Sequence, residues 1–311
     1  MNHPSEPGHD RPDPGLSAIV RERRQLTNLA YRLLGSLADA EDVVQETHAR
    51  WYALSPRQRQ AIDAPGAWLM TVAGRICLDL LASARVRRER YVGEWIPEPL
   101  PDRTEWTSVG PGAESVDPAD RITLDESVSM AFLVVLEAMT PAERVAFVLH
   151  DVFRYPFAEV AEIVGRSPAA CRQLASSARR RLRSTRPDPD SAARRAGVVR
   201  AFKQAWEAQD IDALIALLAP DATATGDGGG LVTAARHPVE GAEQVARFFA
   251  DRPGAASGVR LAERTVNGQP GLVARLGGVT VSVMAFDITD GRIDHIWAVL
   301  NPDKLHSWPA G

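Results

Sequence analysis

Cysteine, long apolar runs and lysine are all scarce in this sequence, and the first two shortages exclude whole classes of protein. The 311 residues include only two cysteines, Cys77 and Cys171, too few for a disulfide framework or a typical zinc site. No apolar run is long enough to cross a bilayer, and no charged-then-apolar secretory signal opens the chain. We therefore expect a cytoplasmic protein with no membrane contact, no metal and no cofactor.

The positive charge is carried almost entirely by arginine, and it is unevenly distributed. Of the 36 basic residues only Lys203 and Lys304 are lysine, and the net charge is −4. Residues 39–46 carry four acids and no base, whereas residues 166–186 carry seven arginines and no acid. A nucleic-acid-binding protein need not be basic overall if its basic patches are concentrated. The length predicts two or three domains.

Residues 155–186 predict two helices joined by a tight turn. Apolar residues recur at helical spacing in the first helix, at Phe157, Val160, Ala161 and Val164. Gly165 can end that helix, Ser167 can cap the next one, and Pro168 suits its first turn. The pattern is that of a helix-turn-helix whose second helix enters the DNA major groove, where arginine and glutamine can pair with base edges. The alternative reading is a solvated basic helix on an ordinary bundle.

Three amphipathic helices are predicted before this motif. The first spans residues 16–34, the second follows a cap at Asp39, and the third spans residues 67–90. The second helix has an acidic outer edge formed by Asp39, Glu41, Asp42, Gln45 and Glu46. Acidic residues in the first turn of a helix are favourable because they interact with the helix dipole, but this explains only part of the acidic edge. In the third helix Arg75 and Asp79 share an exposed face, and four arginines follow.

The segments between these elements also carry local signals. Residues 55–66 predict a polar loop before the third helix, and residues 126–139 predict a further helix. Thr140 and Glu143 predict a capping box that opens the next helix.

These motifs together resemble an RNA polymerase sigma factor of the extracytoplasmic-function (ECF) type. The stretches that carry the resemblance are DAEDVVQETHARWY, GAWLMTVAGRICLDLL and the helix-turn-helix. The resemblance implies that residues 16–90 are sigma region two and residues 126–187 are sigma region four. It also implies that the acidic edge docks on the beta-prime clamp helices of core polymerase, and that the beta flap is a second contact.

The same resemblance implies two sets of promoter-binding residues. The minus-ten element would be read by Arg75, Asp79, Arg85, Arg87 and Arg88. The minus-thirty-five element would be read by Arg166, Ser167, Arg172, Gln173, Ser176, Arg179, Arg180 and Arg183.

Two segments lack helical periodicity. Residues 1–15 are polar and rich in proline, and are predicted to be disordered. Residues 91–125 form an acidic, proline-rich linker. Because Trp95, Ile96 and Leu100 are apolar, we expect this part of the linker to dock on another surface.

Residues 188–311 predict a different kind of domain. Helices at residues 191–209, 210–218 and 240–250 precede four strand-like stretches, which indicates an α+β domain with a curled antiparallel sheet. The order of elements resembles the SnoaL-like, NTF2-like fold, a cone with an internal cavity that could hold a small-molecule ligand. The expected fold is thus two all-α sigma domains followed by an α+β cone.

Three further stretches resemble the SigJ-type subgroup of ECF sigma factors: WIPEP at residues 95–99, DGGG at residues 227–230 and NPDKL at residues 301–305. The resemblance implies that the C-terminal domain controls the sigma factor in cis. Leu231 departs from the subgroup, which usually has lysine there. The implied contacts are Trp95, Pro97, Pro99, Asp227, Gly228, Gly229, Gly230, Asn301, Pro302 and Asp303.

Two alternative functions remain open at this point. One is a conventional helix-turn-helix regulator with a small-molecule-sensing domain. The other is a cyclase or isomerase, which would need a carboxylate or histidine base in an apolar pocket. The candidate bases are Asp221, Asp227, His237, Asp287, Asp294 and His295. None forms a sequence motif, and we expect no catalysis.

Overall fold

The computed structural model describes residues 14–88, 91–101, 129–183, 192–252 and 258–308. Most of the predicted disordered tail and of the acidic linker lies outside these ranges. Those two expectations therefore remain predictions, except that residues 14 and 15 begin the first helix.

Four helices form the N-terminal part: α1 (Pro14–Leu34), α2 (Leu37–Ala53), α3 (Pro56–Gln60) and α4 (Pro65–Arg88). The predicted cap at Asp39 is wrong. Ser36 caps α2, because its hydroxyl accepts a hydrogen bond from the Asp39 N–H (3.2 Å), and Asp39 lies inside the first turn. The expected loop at residues 55–66 contains the short helix α3, which Ser55 and Gln58 cap reciprocally.

The second helical part comprises α5 (Met130–Glu137), α6 (Pro141–Phe147), a π-helical segment (Val148–Val152), α7 (Phe157–Val164) and α8 (Pro168–Arg183). Thr140 and Glu143 form the predicted capping box at the start of α6. The expected helix over residues 126–139 is shorter, and residues 126–128 lie outside the described ranges.

These two helical parts share one continuous hydrophobic core. Buried residues of α1 and α4, such as Leu29 and Ala73, belong to the same cluster as Leu149 and Ile163 of the second part. The helices approach closely where α4 meets α7, because Gly74 has no side chain and a methyl group there would lie 3.0 Å from Ile163 Cγ2.

The C-terminal part packs three helices against a six-stranded sheet. The helices are α9 (Ala192–Glu207), α10 (Ile211–Leu217) and α11 (Ala242–Ala250). The strands are β1 (Leu218–Asp227), β2 (Val239–Glu240), β3 (Val259–Val266), β4 (Gln269–Leu276), β5 (Val279–Thr289) and β6 (Arg292–Val299). They lie in the order β2-β1-β6-β5-β4-β3.

The four predicted strands, β3 to β6, pair antiparallel as expected, but the sheet also contains β1, which pairs with β6 in parallel. The strand β1 was missed altogether. Its sequence, LAPDATATGD, is rich in alanine, proline, glycine and aspartate, which have low strand propensity. Pairing with both β2 and β6 stabilises it instead.

The two faces of the sheet contact different parts of the chain. One face packs against the helices of its own domain through an aromatic cluster, in which the Phe249 ring lies 5.0 Å from Trp206 and 5.2 Å from Phe202. On the other face, Trp297 and its neighbours form a core with Ile96 of the linker and Met130 of α5. The C-terminal domain therefore contacts both the linker and the second helical part.

Candidate nucleic-acid interface and linker clamp

The helix-turn-helix forms as the sequence predicts. Gly165 ends α7 with a left-handed backbone (φ 68°), and the Gly165 N–H donates to the Ala161 carbonyl (2.9 Å). Ser167 accepts a hydrogen bond from the Ala170 N–H (3.2 Å) at the start of α8. The predicted apolar face of α8 packs inward, with Cys171 fully buried.

The residues predicted to read the minus-thirty-five element differ in their surroundings. Six of them are exposed: Arg166, Ser167, Arg172, Gln173, Ser176 and Arg180. The side chain of Arg183 lies outside the described residues. Arg179 forms a two-point ion pair with Asp151, with Nε–Oδ1 at 2.6 Å and Nη2–Oδ2 at 3.2 Å. The guanidinium of Arg179 is thus already engaged within the fold.

The residues predicted to read the minus-ten element are only partly described. Arg75 and Asp79 are exposed on α4, and the side chains of Arg85, Arg87 and Arg88 lie outside the described residues. Arg75 Nη2 donates to the Glu162 carbonyl oxygen of α7 (3.1 Å). This candidate DNA contact therefore faces the other helical part.

The acidic edge of α2 is accessible, as predicted. Glu41, Asp42, Gln45 and Glu46 are exposed, and Asp39 is half-buried. Glu46 forms an exposed ion pair with Arg50 one turn later (2.9 Å). The remaining carboxylates form a negative surface that a positively charged partner could contact.

A buried arginine also joins the two helical parts. Arg144 of α6 donates to the Leu33 carbonyl oxygen at the end of α1 (2.8 Å) and pairs with Glu137 (2.7 Å). Its side chain is only 2% exposed. Because burying a guanidinium is costly unless it is paired, this contact specifies one arrangement of the two parts.

Asp227 of β1 is the centre of a buried network that binds the linker. Its Oδ1 accepts from the Tyr91 hydroxyl (2.6 Å) and the Gly229 N–H (3.0 Å). Its Oδ2 accepts from the Ile96 N–H (3.0 Å) and Lys304 Nζ (2.7 Å). Burial and the bond to Asp227 raise the pKa of Tyr91, which keeps its hydroxyl a donor.

Further contacts hold the linker along its length. Lys304 Nζ also donates to the Ile96 carbonyl oxygen (2.5 Å) and lies 4.0 Å from the centre of the Trp95 ring. Trp308 Nε1 donates to the Pro99 carbonyl oxygen (2.9 Å). The term linker clamp is used below for residues 91–101 together with the five residues that hold them: Asp227, Asn267, Asn301, Lys304 and Trp308.

The linker also contacts the N-terminal helices. Glu98 Oε2 accepts from the Leu37 N–H at the start of α2 (2.8 Å), and the Glu98 carbonyl accepts from the Tyr31 hydroxyl (2.6 Å). Asn267 Nδ2 of the β3–β4 turn donates to the same Tyr31 oxygen (3.0 Å). Burial raises the pKa of Glu98. Three parts of the chain therefore meet at Tyr31.

The predicted regulatory contacts are largely brought together. Four of them lie in the clamp: Trp95, Pro97, Pro99 and Asp227. A fifth, Asn301, donates from Nδ2 to the Tyr91 hydroxyl oxygen (2.9 Å). Pro302 and Asp303 are exposed, and the charge in that motif that contacts the linker is Lys304.

The glycine run shapes the loop after β1. Gly229 has a left-handed backbone (φ 62°), and a side chain there would collide with Asn301. A methyl group on Gly228 would collide with the Val232 carbonyl, and one on Gly230 would lie 3.1 Å from Val92 of the linker. The loop therefore needs these glycines for its close approach to the clamp.

Six residues of this network were missed by the sequence reasoning: Tyr31, Tyr91, Glu98, Asn267, Lys304 and Trp308. Lys304 lies within the NPDKL stretch, Glu98 lies within the WIPEP stretch and Tyr91 opens the linker, so these three had a usable signal. Asn267 precedes Gly268 in a hairpin turn, but no local pattern indicates that this turn is buried against another domain.

The C-terminal domain encloses a cavity of about 100 Å³ between its helices and its sheet. None of the six candidate bases belongs to the described lining of this cavity. His295 instead bonds to the hydroxyls of Thr223 and Thr225 and stacks on Trp297, and burial lowers its pKa to about 4. Asp227 is engaged by the linker.

The folds and motifs above define a sigma-70-type transcription factor with an added α+β domain. Residues 18–87 match the Sigma-70 region 2 family, residues 129–182 match Sigma-70 region 4, and residues 199–296 match the SnoaL-like domain. The chain belongs to the ECF sigma factors of RNA polymerase. Its partners are accordingly core RNA polymerase and promoter DNA.

Two relatives and one solved structure illustrate the similarity. The ECF RNA polymerase sigma factor SigJ of Mycobacterium tuberculosis is 41% identical over 304 residues, covering 92% of each chain. A probable ECF sigma factor SigI of the same species is 35% identical, covering 94% of this chain and 95% of the relative. The crystal structure of SigJ superposes with a TM-score of 0.72 at 37% identity, covering 95% of this chain and 100% of SigJ.

Proposed function

We propose that this sigma factor is controlled in cis by its C-terminal domain, which holds the linker and keeps the two promoter-reading domains packed together. In this proposal the acidic edge of α2 contacts core polymerase, α4 reads the minus-ten element and α8 reads the minus-thirty-five element. The observation that carries the proposal is that the linker clamp and the shared helical core join all three domains.

The exposed face of α8 has the chemistry that major-groove reading needs. Arg172, Gln173, Ser176 and Arg180 offer donors and acceptors for base edges and phosphates. The helix has 16 residues, which at ~1.5 Å each gives ~24 Å, enough to cross a groove ~12 Å wide.

The packed arrangement opposes promoter binding. The minus-ten and minus-thirty-five elements are about 25 base pairs apart, which is ~85 Å at ~3.4 Å per base pair. Yet α4 and α7 are in contact, and Arg75 donates to a carbonyl of α7. The two helical domains must therefore separate before both elements can be bound.

The C-terminal domain acts in this proposal as a control domain and not as an enzyme. The support is that none of the six candidate bases belongs to the described lining of the cavity, and that His295 is bonded to two threonines and Asp227 to the linker. The site of action is the bacterial cytoplasm, where polymerase and promoters meet. By length and composition one segment, Pro65–Ser83, could cross a membrane, but it belongs to α4, whose Leu69, Ala73 and Cys77 are buried in the helical core.

The test is run-off transcription with core polymerase and a genomic promoter library. The full chain would be compared with a chain ending at Pro187 and with full-length Asp227→Asn and Trp308→Phe variants. Asp212→Asn is the matched control, because Asp212 is an exposed carboxylate of α10 and is not part of the clamp. We expect more promoter-specific transcript when the clamp is weakened, and no change for the control.

Two outcomes would contradict different parts of the proposal. Equal transcript from every form would contradict cis control and leave sigma activity intact. Absence of transcripts and of core polymerase binding in every form would contradict the roles assigned to α2, α4 and α8.

A further inference from the structure

A stack of side chains connects the π-helical segment to α8. The His150 ring stacks on the Phe157 ring at the start of α7, with 3.7 Å between the ring centres and 24° between the ring planes. The guanidinium of Arg172 in α8 lies over the same Phe157 ring, 5.5 Å from its centre. One phenylalanine therefore contacts both a histidine of the preceding segment and an arginine predicted to read the promoter.

Hydrogen bonds around this stack fix the position of the His150 ring. His150 Nδ1 lies 2.8 Å from the Tyr155 carbonyl oxygen. Because a carbonyl oxygen only accepts hydrogen bonds, Nδ1 carries a proton and is the donor. The chain turns between these residues at Arg154, which has a left-handed backbone (φ 62°), and the Tyr155 N–H donates to the Leu149 carbonyl oxygen (3.0 Å). His150 therefore supports the Phe157 ring from a well-defined position.

The contact with Phe157 orders the Arg172 side chain without using up its donors. A guanidinium packed on an aromatic ring can still donate hydrogen bonds, because the ring attracts its positive charge without accepting a conventional hydrogen bond. Arg172 is exposed, and an exposed arginine loses rotamer freedom when it binds a partner. The ring reduces that loss, because it restricts the side chain before DNA binds.

Arg172 lies at the end of α8 that contacts bases in a helix-turn-helix. The N-terminal residues of the second helix are the ones that reach base edges in the major groove. Arg172 is one of the first five residues of α8, whereas Arg180 lies about two turns further along the helix. Arginine at such a position pairs with guanine, because two of its N–H groups match the O6 and N7 acceptors.

We propose that Phe157 is a positioning residue for promoter recognition: its ring holds the Arg172 guanidinium so that this arginine reads a guanine of the minus-thirty-five element. His150 supports the ring. This inference rests on the proposed role of α8, and it names the base that one residue of the helix reads. Because Phe157 acts through Arg172, replacing it changes the base preference and leaves the phosphate contacts in place.

The test measures base preference with the full-length chain bound to core polymerase. Competing promoters carry each single substitution of the minus-thirty-five element, and the ratio of their affinities is recorded for each variant. This ratio does not depend on how much of a variant is active, so a partly unfolded variant still gives a result. Arg172→Ala should lower the preference for guanine at one position about tenfold. Phe157→Leu should lower it at the same position about threefold, and Phe157→Tyr should retain it.

A double variant tests whether Phe157 acts through Arg172. Phe157→Leu combined with Arg172→Ala should show the same preference as Arg172→Ala alone, because no guanidinium is left for the ring to hold. Losses that multiply in the double variant would overturn the positioning role. His150→Asn keeps a donor for the Tyr155 carbonyl and removes the stacked ring, so it should lower the preference by less than Phe157→Leu does.

Two further variants serve as controls. Phe132→Leu removes a ring that pairs with Phe147 (6.1 Å) in the same helical part, and it should keep the base preference. Arg180→Ala should weaken binding to all the promoters by a similar factor. Unchanged preference in Arg172→Ala or in Phe157→Leu would overturn the inference and leave the role of α8 intact. A wild-type complex with no preference at any position of the element would overturn the role of α8 as well.

Discussion

Lys304 and Asp227 form the ion pair at the centre of the clamp, and both are nearly out of contact with solvent. The side chain of Lys304 is 10% exposed and that of Asp227 is 0% exposed. Four donors satisfy the carboxylate, so the pair tolerates burial only while the linker is in place. A released linker leaves Asp227 without two of these donors.

Removing Lys304 is expected to be costly. Lys304→Met should lower the free energy of unfolding by about 3–5 kcal/mol, because it leaves a buried carboxylate without its counter-charge. Lys304→Met combined with Asp227→Asn should recover part of that loss. Urea unfolding measures both. The control is Lys203→Met, whose amine lies 3.9 Å from Glu207 in a partly exposed pair and should cost at most about 1 kcal/mol. Equal losses at the two lysines would contradict the clamp.

Two arginines of α8 should behave differently when replaced by alanine. Arg180→Ala should weaken binding at the minus-thirty-five element and lower the salt dependence by about one unit, if its contact is to a phosphate. Arg179→Ala should instead lower the free energy of unfolding by about 1 kcal/mol, because it removes the pair with Asp151. Promoter binding by the polymerase complex across a salt series, with urea unfolding of each variant, separates the two. The assignment would be wrong if Arg179→Ala changed base preference without loss of stability.

At the scale of the elements, the contact between α4 and α7 depends on the absence of a side chain at Gly74. Gly74→Leu should destabilise the packed arrangement by about 1–3 kcal/mol, because the new side chain would overlap Ile163. The expected result is a larger radius of gyration in small-angle X-ray scattering. Gly197→Leu is the control, since Gly197 in α9 faces open space. An unchanged radius in Gly74→Leu would show that the contact does not hold the domains together.

The elements that the sequence predicts well are those with local signals. Gly165, Ser167 and Pro168 mark the turn between α7 and α8, and the capping box at Thr140 marks the start of α6. A local signal gave the wrong N-terminal cap for α2, because Ser36, three residues before Asp39, is also a good cap.

What could not be predicted depends on contacts between distant parts of the chain. β1 has weak strand propensity and is held by its neighbours. The burial of Tyr31 against Asn267 and Glu98 joins the N-terminal helices, the C-terminal domain and the linker, and no single stretch of sequence predicts this contact. The apolar residues of the linker predicted docking, but only the structure identifies the surface.

At the scale of the whole molecule, two cores hold three domains together. One core joins the two helical domains, and the other joins the linker and α5 to the sheet. Opening the molecule for promoter binding therefore exposes apolar surface from both cores. The contacts with polymerase and DNA must compensate for the free-energy cost of that exposure.

This opening should be measurable as a distance. Fluorophores on Ala82→Cys in α4 and Ala169→Cys in α8 would report the separation of two helical domains that are packed together in the free protein. They should separate towards ~85 Å in a promoter complex, given ~3.4 Å per base pair. Both native cysteines are fully buried, which limits background labelling. Energy transfer that stays high in an active promoter complex would contradict the need for separation.

Because the sequence has only two lysines, their relative reactivity can measure how often the linker is released. The side chain of Lys203 on α9 is partly exposed, whereas that of Lys304 is enclosed by the linker. An amine-directed reagent would therefore modify Lys203 at all times and Lys304 only during the intervals when the linker is released. The ratio of the two modified peptides reports how often the clamp opens, without any engineered label.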